Sequence, residues 1–162
     1  MRRLLTAVDP MTPFSVYSVA EIDGLCFPDA PRSPQEYLAA LRKGDVYGLV
    51  AKRLSDDRPA GFALYSREQR YAVRLLRLGV HPDFRGRGVG RGLVETLAAS
   101  LAYRPGRLLL LTADLTESQL RLGTFFKRCG FECNHLIGRK GAPVKAFRLT
   151  RYAGGAVFEC RP

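Results

Sequence analysis

Arginine and glycine alternate through Arg85-Gly86-Arg87-Gly88-Val89-Gly90-Arg91, and residues of these types at this spacing can hold an anion. Glycine lets the backbone approach a ligand closely and adopt turns that other residues resist. If a helix opens here, its first N–H groups have no partner within the helix and the positive end of its dipole faces outward. Together these features make a cradle for phosphate. Two well-known cradles do not fit. A dinucleotide fingerprint counted from Gly86 would need glycine where Arg91 stands, and the Gly-Lys-Ser/Thr of a nucleotide P-loop is absent.

The flanking residues supply the elements such a loop needs. Leu75, Leu76, Leu78 and Val80 read as an apolar strand broken by His81-Pro82-Asp83. After the loop, Val89, Leu93, Leu97 and Leu101 recur every four residues beside Val94 and Ala98, which predicts one buried helix face. The organising unit is therefore strand, basic glycine loop, helix.

The rest of the chain reads as one α+β domain over residues 1–162, with 1–12 and 152–162 as terminal extensions. Residues 4–8 could form an edge strand. Residues 14–26 are helical, with Val16, Val19, Ala20 and Leu25 on the inner side. Ser33-Pro34-Gln35-Glu36 is a helix start with a capping box, its helix packing through Tyr37, Leu38 and Leu41 and stopping at Gly44. Strands are expected at 46–53, 60–67 and 71–80, the first two joined by a turn at 55–59, and a buried strand runs from Leu108 to about Ala113. Thr116-Glu117-Ser118-Gln119 is a second capping-box match, predicting a helix from near Glu117 with Leu122, Phe125, Phe126 and Cys129 on its face. A final hairpin is expected from 131–137 and 144–151.

Composition narrows the function classes. The formal net charge is +11, which attracts polyanions such as nucleic acid, acidic proteins or phosphorylated small molecules. No RNA-binding signature, zinc finger or recognition-helix pattern accompanies it, so nucleic acid ranks well behind as a partner. Cys26, Cys129, Cys133 and Cys160 form no C-x-x-C pair, and Cys129, Cys133 and His135 match no common zinc spacing, so no metal site is expected. Free thiols, no apolar stretch long enough for a bilayer and no signal-peptide core point to the cytoplasm, without a membrane partner.

The loop resembles the acyl-CoA loop of the GNAT N-acetyltransferases, Arg/Gln-x-x-Gly-x-Gly/Ala, here Arg85-x-x-Gly88-x-Gly90, and the approach from Gly79 to Gly86 is also similar. The element order fits that family's fold, a single domain with a mixed, mostly antiparallel sheet and helices on both faces. The resemblance implies acetyl-CoA as cosubstrate. Leu78, Gly79 and Val80 would meet pantetheine, and the pyrophosphate would lie on Arg85, Gly86, Arg87, Gly88, Val89, Gly90 and Arg91. The stretch Cys26-Phe27-Pro28 followed by Ser33 resembles the RimI-like branch, where this region helps shape the acceptor site, although no Trp follows the proline. It also reads as a rigid interhelical linker.

The family's late signature, counted back from Gly130-Phe131, places its Tyr on Phe126 and its Asn on Gln119, both assigned to the cofactor side. Phe126 has no proton to give, so turnover would proceed without that tyrosine or with a replacement such as Tyr47, Tyr65, Tyr71 or Tyr103. The strand before the loop lacks the family's common Glu, reading Arg74-Leu75-Leu76-Arg77. Asp114 is the nearest counterpart of the branch's base on the next strand, with Glu117 second, and Asp114 reads equally as a turn carboxylate. An α-amine with a pKa of about 8 is roughly a tenth neutral at neutral pH, far more than lysine at about 10.4. A weak base therefore favours an N-terminal α-amine or a small-molecule amine as acceptor. The resemblance implies an acetyl-CoA-dependent N-acetyltransferase acting by direct attack in a ternary complex; the alternative is a catalytically weak or inactive acyl-CoA-binding module.

Overall fold

The computed structural model describes residues 3–68, 72–102, 109–116, 119, 122–137 and 146–153. They gather into two compact units, Met1–Arg67 with Leu76–Leu97, and Glu68–Leu75 with Ala98–Pro162. The architecture is α+β with a mixed sheet, as the sequence predicts.

In the first unit the strand order is β1 (Thr6–Pro10), β2 (Val46–Arg53), β3 (Pro59–Glu68), β4 (Ala72–Val80). β1 runs antiparallel to β2 from Thr6↔Arg53 to Pro10↔Leu49, so much of the expected N-terminal extension is part of the sheet. β2 pairs antiparallel with β3, with a bulge between Ala51 and Lys52 near the turn. That turn is closed by an Arg53–Asp56 ion pair and by Asp57, which takes a φ of 60°.

Residues alternate across β3 because successive side chains in a strand point to opposite faces. Phe62 and Leu64 join Val50 against Val16, Val19 and Ile22 of α1 (Val16–Cys26) and Tyr37 of α2 (Pro34–Arg42). Gly61 faces the other way: a Cβ there would lie 3.1 Å from Val89 and 3.4 Å from Leu93 of α3 (Val89–Ala102). Helices thus cover both faces of this unit. Val89, Leu93, Val94 and Leu97 are buried as their spacing predicts, each worth ~1.5–3 kcal/mol relative to exposure.

Ser33 caps α2 as expected, its Oγ accepting from Glu36 N at 3.3 Å while Glu36 Oε2 accepts from Ser33 N at 2.7 Å. Leu25 is instead 54% exposed, since the last turn of α1 carries it off the packed face, and Leu76 also points outward.

The second unit orders its strands β4, β5 (Leu109–Thr116), β7 (Ala146–Ala153), β6 (Glu132–Ile137). β4 and β5 are parallel from Ala72↔Leu110 to Leu75↔Ala113, and the remaining pairs are antiparallel. Leu111, Ala113 and Leu115 are buried, and so is Thr112 between them, which makes β5 the buried strand expected. The helix expected from near Glu117 has its described part in α4 (Gly123–Arg128), with Gln119 and Leu122 in 3-10 turns before it; Glu117 lies outside the described residues, and Thr116 ends β5. The ladder with β7 continues through Asp114↔Arg148, Leu115↔Phe147 and Thr116↔Ala146, so pairing with a distant strand carries β5 past Ala113, where the apolar run ends. Phe126 and Cys129 are buried as expected, whereas Leu122 is 41% exposed because it precedes the helix.

Candidate active site

The loop between β4 and α3 is built as an open set of donors. After a short 3-10 turn at Pro82–Phe84, Arg85 N–H donates to Pro82 O at 3.2 Å, and the next loop bond is Gly92 N–H to Gly88 O at 2.9 Å. Among the described residues no backbone acceptor meets the N–H groups from Gly86 through Arg91 at normal hydrogen-bond geometry. The shape requires glycine at two places, Gly86 at φ 72° and Gly88 at φ 89°. Arg87 is half-buried, and its Nε is shielded from solvent with no hydrogen-bond partner. An anion laid across this loop would meet unpaired donors from backbone and guanidinium together.

Two side chains behave differently from the cradle expectation. Arg85 turns back onto its own strand, donating from Nε to Val80 O at 3.1 Å and from Nη2 to Cys26 Sγ at 3.5 Å. Arg91 lies 4.0 Å from Glu95 on the helix surface. Arg3 meanwhile arrives unannounced: a Cβ on Gly88 would lie 3.5 Å from Arg3 Cγ, and Leu4 N–H donates to Arg87 O at 3.0 Å. The antiparallel β1–β2–β3–β4 order brings the start of β1 to the same end as the loop. Only the LLTAV strand pattern pointed that way.

On β4, Leu78 and Val80 are half-buried and Gly79 is buried. Gly79 has a packing reason to be glycine, because a Cβ there would sit 2.4 Å from Phe62 Cε1. Arg77 reaches a buried carboxylate that sequence reading missed. Asp23, with no exposed surface, accepts from Arg77 Nε at 2.5 Å and Nη2 at 3.0 Å, from Tyr37 Oη at 2.8 Å and from Arg32 N at 2.7 Å. Burial, then the hydrogen bond to Asp23 and its charge, drives the Tyr37 phenol far above the ordinary tyrosine range.

In the second unit, Asp114 is half-buried on β5 with its Oδ2 3.2 Å from Arg74 Nη2. Arg74 Nε lies 2.9 Å from Glu68 Oε1, so this guanidinium bridges two carboxylates. Asp114 therefore sits within a strand rather than a turn, and its carboxylate already has a cation. Phe126 is buried, its ring edge-on to Phe125 at 5.1 Å and Phe131 at 5.2 Å. Gln119 is half-buried between β5 and α4. Glu117 lies outside the described residues, as do Tyr71 and Tyr103.

Among the other tyrosines, Tyr47 Oη donates to Gly44 O at 2.7 Å, and Tyr65 stacks on Tyr47 at 5.7 Å. Desolvation raises the Tyr65 phenol. Among the described residues no group of acidic, His and Cys side chains could hold a metal ion, and no helix is long and apolar enough to cross a membrane.

An open loop of N–H donors between a strand and a helix, on a mixed α+β sheet, is suited to holding an anion. The profile of the acetyltransferase (GNAT) domain matches residues 43–133, more than half of the chain, and the chain belongs to the GNAT family of N-acetyltransferases. No curated protein gives a match. Among solved structures, the ribosomal-protein-S18-alanine N-acetyltransferase of Escherichia coli is similar at TM-score 0.76, with 16% identity over 98% of this chain and 99% of that one. Arabidopsis thaliana NAA60, solved in complex with a bisubstrate analogue, is similar at TM-score 0.72, with 16% identity over 94% and 100%. Ard1 of Thermoplasma volcanium is similar at 0.73, with 19% identity over 91% and 97%. At these identities the likeness is one of fold.

Proposed function

We propose that residues 1–162 act as one catalytic domain that transfers an acetyl group from acetyl-CoA to a primary amine, either a protein N-terminal α-amine or a small-molecule amine, in the cytoplasm. The observation that carries this reading is the run of unpaired N–H groups from Gly86 to Arg91 with the partnerless Arg87 Nε beside it, which suits a diphosphate. When bound, acetyl-CoA supplies a thioester carbonyl for attack and a thiolate that leaves readily. Backbone donors at 86–91, with Val89 and Gly90 opening the helix, would hold its phosphates, and the Arg85 side chain braces Val80 instead. Leu78, Gly79 and Val80 would present the strand backbone to the pantetheine arm. Among neighbours in fold, the bacterial enzyme acts on an alanine of a ribosomal protein, which favours α-amines as the acceptor class here.

Asp114 is the described carboxylate assigned to accept the amine's proton, with Glu117 as the second candidate; the family's late signature assigns Gln119 and Phe126 to cofactor binding. Gly88→Trp should lower acetyl-CoA affinity by at least about a hundredfold, or ~2.7 kcal/mol, while the far-UV spectrum stays unchanged. Calorimetry showing wild-type affinity in this variant would remove the cradle reading. Asp114→Asn should lower turnover more at low pH than at high pH, because an amine already neutral needs no base. A uniform loss across pH would leave Asp114 as a partner of Arg74.

Phe126 favours a second reading, a CoA-binding module without turnover, since the hydroxyl of the family's tyrosine is missing and the ring is buried. Release of free CoA with a panel of amines separates the two: an enzyme gives steady release, a pure binder saturates and stays flat.

A further inference from the structure

We infer that Arg3, in the segment before β1, is a further phosphate-binding residue, carried onto the glycine loop beside Arg87 so that its guanidinium would meet the cofactor's diphosphate. The inference rests on the reading of Gly86–Arg91 as the seat of that diphosphate.

Two consecutive residues fasten the segment. Leu5 O accepts from Leu54 N–H, just past β2, at 3.1 Å, and Leu4 N–H donates to Arg87 O at 3.0 Å. His81 N–H donates to Ala60 O at 2.9 Å, so β4 delivers the loop to the same end of the sheet at which β1 begins. With Leu4 held there, Arg3 runs along Gly88: a Cβ on that glycine would lie 3.5 Å from Arg3 Cγ and 3.8 Å from its Nε. Arg3 stays exposed, which leaves its guanidinium open to a ligand.

The neighbouring cations are already engaged. Arg85 is bonded to Val80 O and Cys26 Sγ, Arg91 lies beside Glu95, and Arg53 pairs with Asp56 while its guanidinium sits 4.8 Å from the Phe84 ring. Among the described residues the guanidiniums of Arg3 and Arg87 have no carboxylate partner. Arg87 Nε is in addition shielded from water with no acceptor, a donor that a phosphate oxygen would satisfy. Two arginines from separate segments, joined by a backbone bond and left without a protein anion, suit a ligand with two adjacent negative groups.

The test is calorimetry on the full chain with CoA and with dephospho-CoA, which keeps the diphosphate and lacks the 3′-phosphate. Arg3→Ala should weaken both ligands by about tenfold at about 0.05 M salt, and the gap to the wild type should narrow at about 0.5 M, where exposed charges are screened. Leu4→Pro keeps Arg3 but removes the N–H bonded to Arg87 O, and should weaken both by about threefold or more. Arg42→Ala lowers the net charge equally but ends α2, before the opposite end of β2, and should stay within about twofold.

Wild-type affinity in Arg3→Ala overturns the inference and leaves the cradle standing. A loss with CoA alone overturns the assignment to the diphosphate, and an equal loss in Arg42→Ala makes the effect one of net charge and overturns it too. Wild-type affinity in Leu4→Pro overturns the backbone tie as what carries Arg3 to the loop. A wild-type protein that binds neither ligand overturns the cradle itself and the role of Arg3 with it.

Discussion

Arg74 and Arg77 stand three residues apart on one strand, and both neutralise carboxylates, yet their surroundings differ. Arg77 faces Asp23, which has no exposed surface and whose oxygens are met by a guanidinium, a phenol and a backbone N–H. Arg74 faces Glu68 and Asp114, whose side chains are 32% and 28% exposed. Water screens the second set and replaces much of it if a partner is lost; it does not reach Asp23 in the first. The same residue type therefore serves architecture at one position and leaves a carboxylate adjustable at the other.

Breaking the contrast at its stronger end should give the largest effect. Asp23→Ala strands Arg77 and removes the acceptor of Tyr37, so urea denaturation should show a loss of ~3–5 kcal/mol. A loss no larger than that of a surface pair would place Arg77 in the same class as Arg74. Tyr37→Phe removes only the hydroxyl and should cost ~1–2 kcal/mol at neutral pH.

That variant also sharpens the contrast through pH. The folded protein holds the Tyr37 phenol neutral well above pH 10.0, the ordinary tyrosine value, because burial disfavours the phenolate. Its contribution is complete below the unfolded pKa and is lost as pH rises beyond it, at ~1.4 kcal/mol per pH unit for one proton. Tyr37→Phe should flatten the alkaline limb of a stability–pH curve by that one proton, and an unchanged limb would contradict the buried hydrogen bond.

Ser33→Ala should cost ~1 kcal/mol by opening the cap of α2. Glu36, lowered chiefly by its bond from the Ser33 backbone, makes that cap strongest above the ordinary carboxylate range and weaker as pH falls through it. Arg74→Ala is the smallest expected change, ~0–1 kcal/mol in thermal or chemical unfolding.

How far the sequence reveals this molecule follows from the range of the interactions. β2 is legible to the residue at Val46–Arg53 because alternation and the turn after it are local, and the Ser33 cap because its partner is three residues away. The glycine loop between β4 and α3 is legible for the same reason. The far end of β5 is not, since Thr116 is held in it by a strand thirty residues later, at Ala146. The Asp23–Arg77 pair spans 54 positions, and nothing near either residue announces the other. Arg3 reaches Gly88 only because of the order in which the strands are laid down.

Gly79 carries one more lesson. The Phe62 ring occupies the space a methyl group there would need, so the fold itself forbids any other residue before catalysis is considered. A descendant that had lost all activity would still be bound to keep this glycine in order to remain folded. Its presence in a chain is thus testimony about the core, and judgements of whether such a chain is alive as an enzyme belong to the loop beyond it.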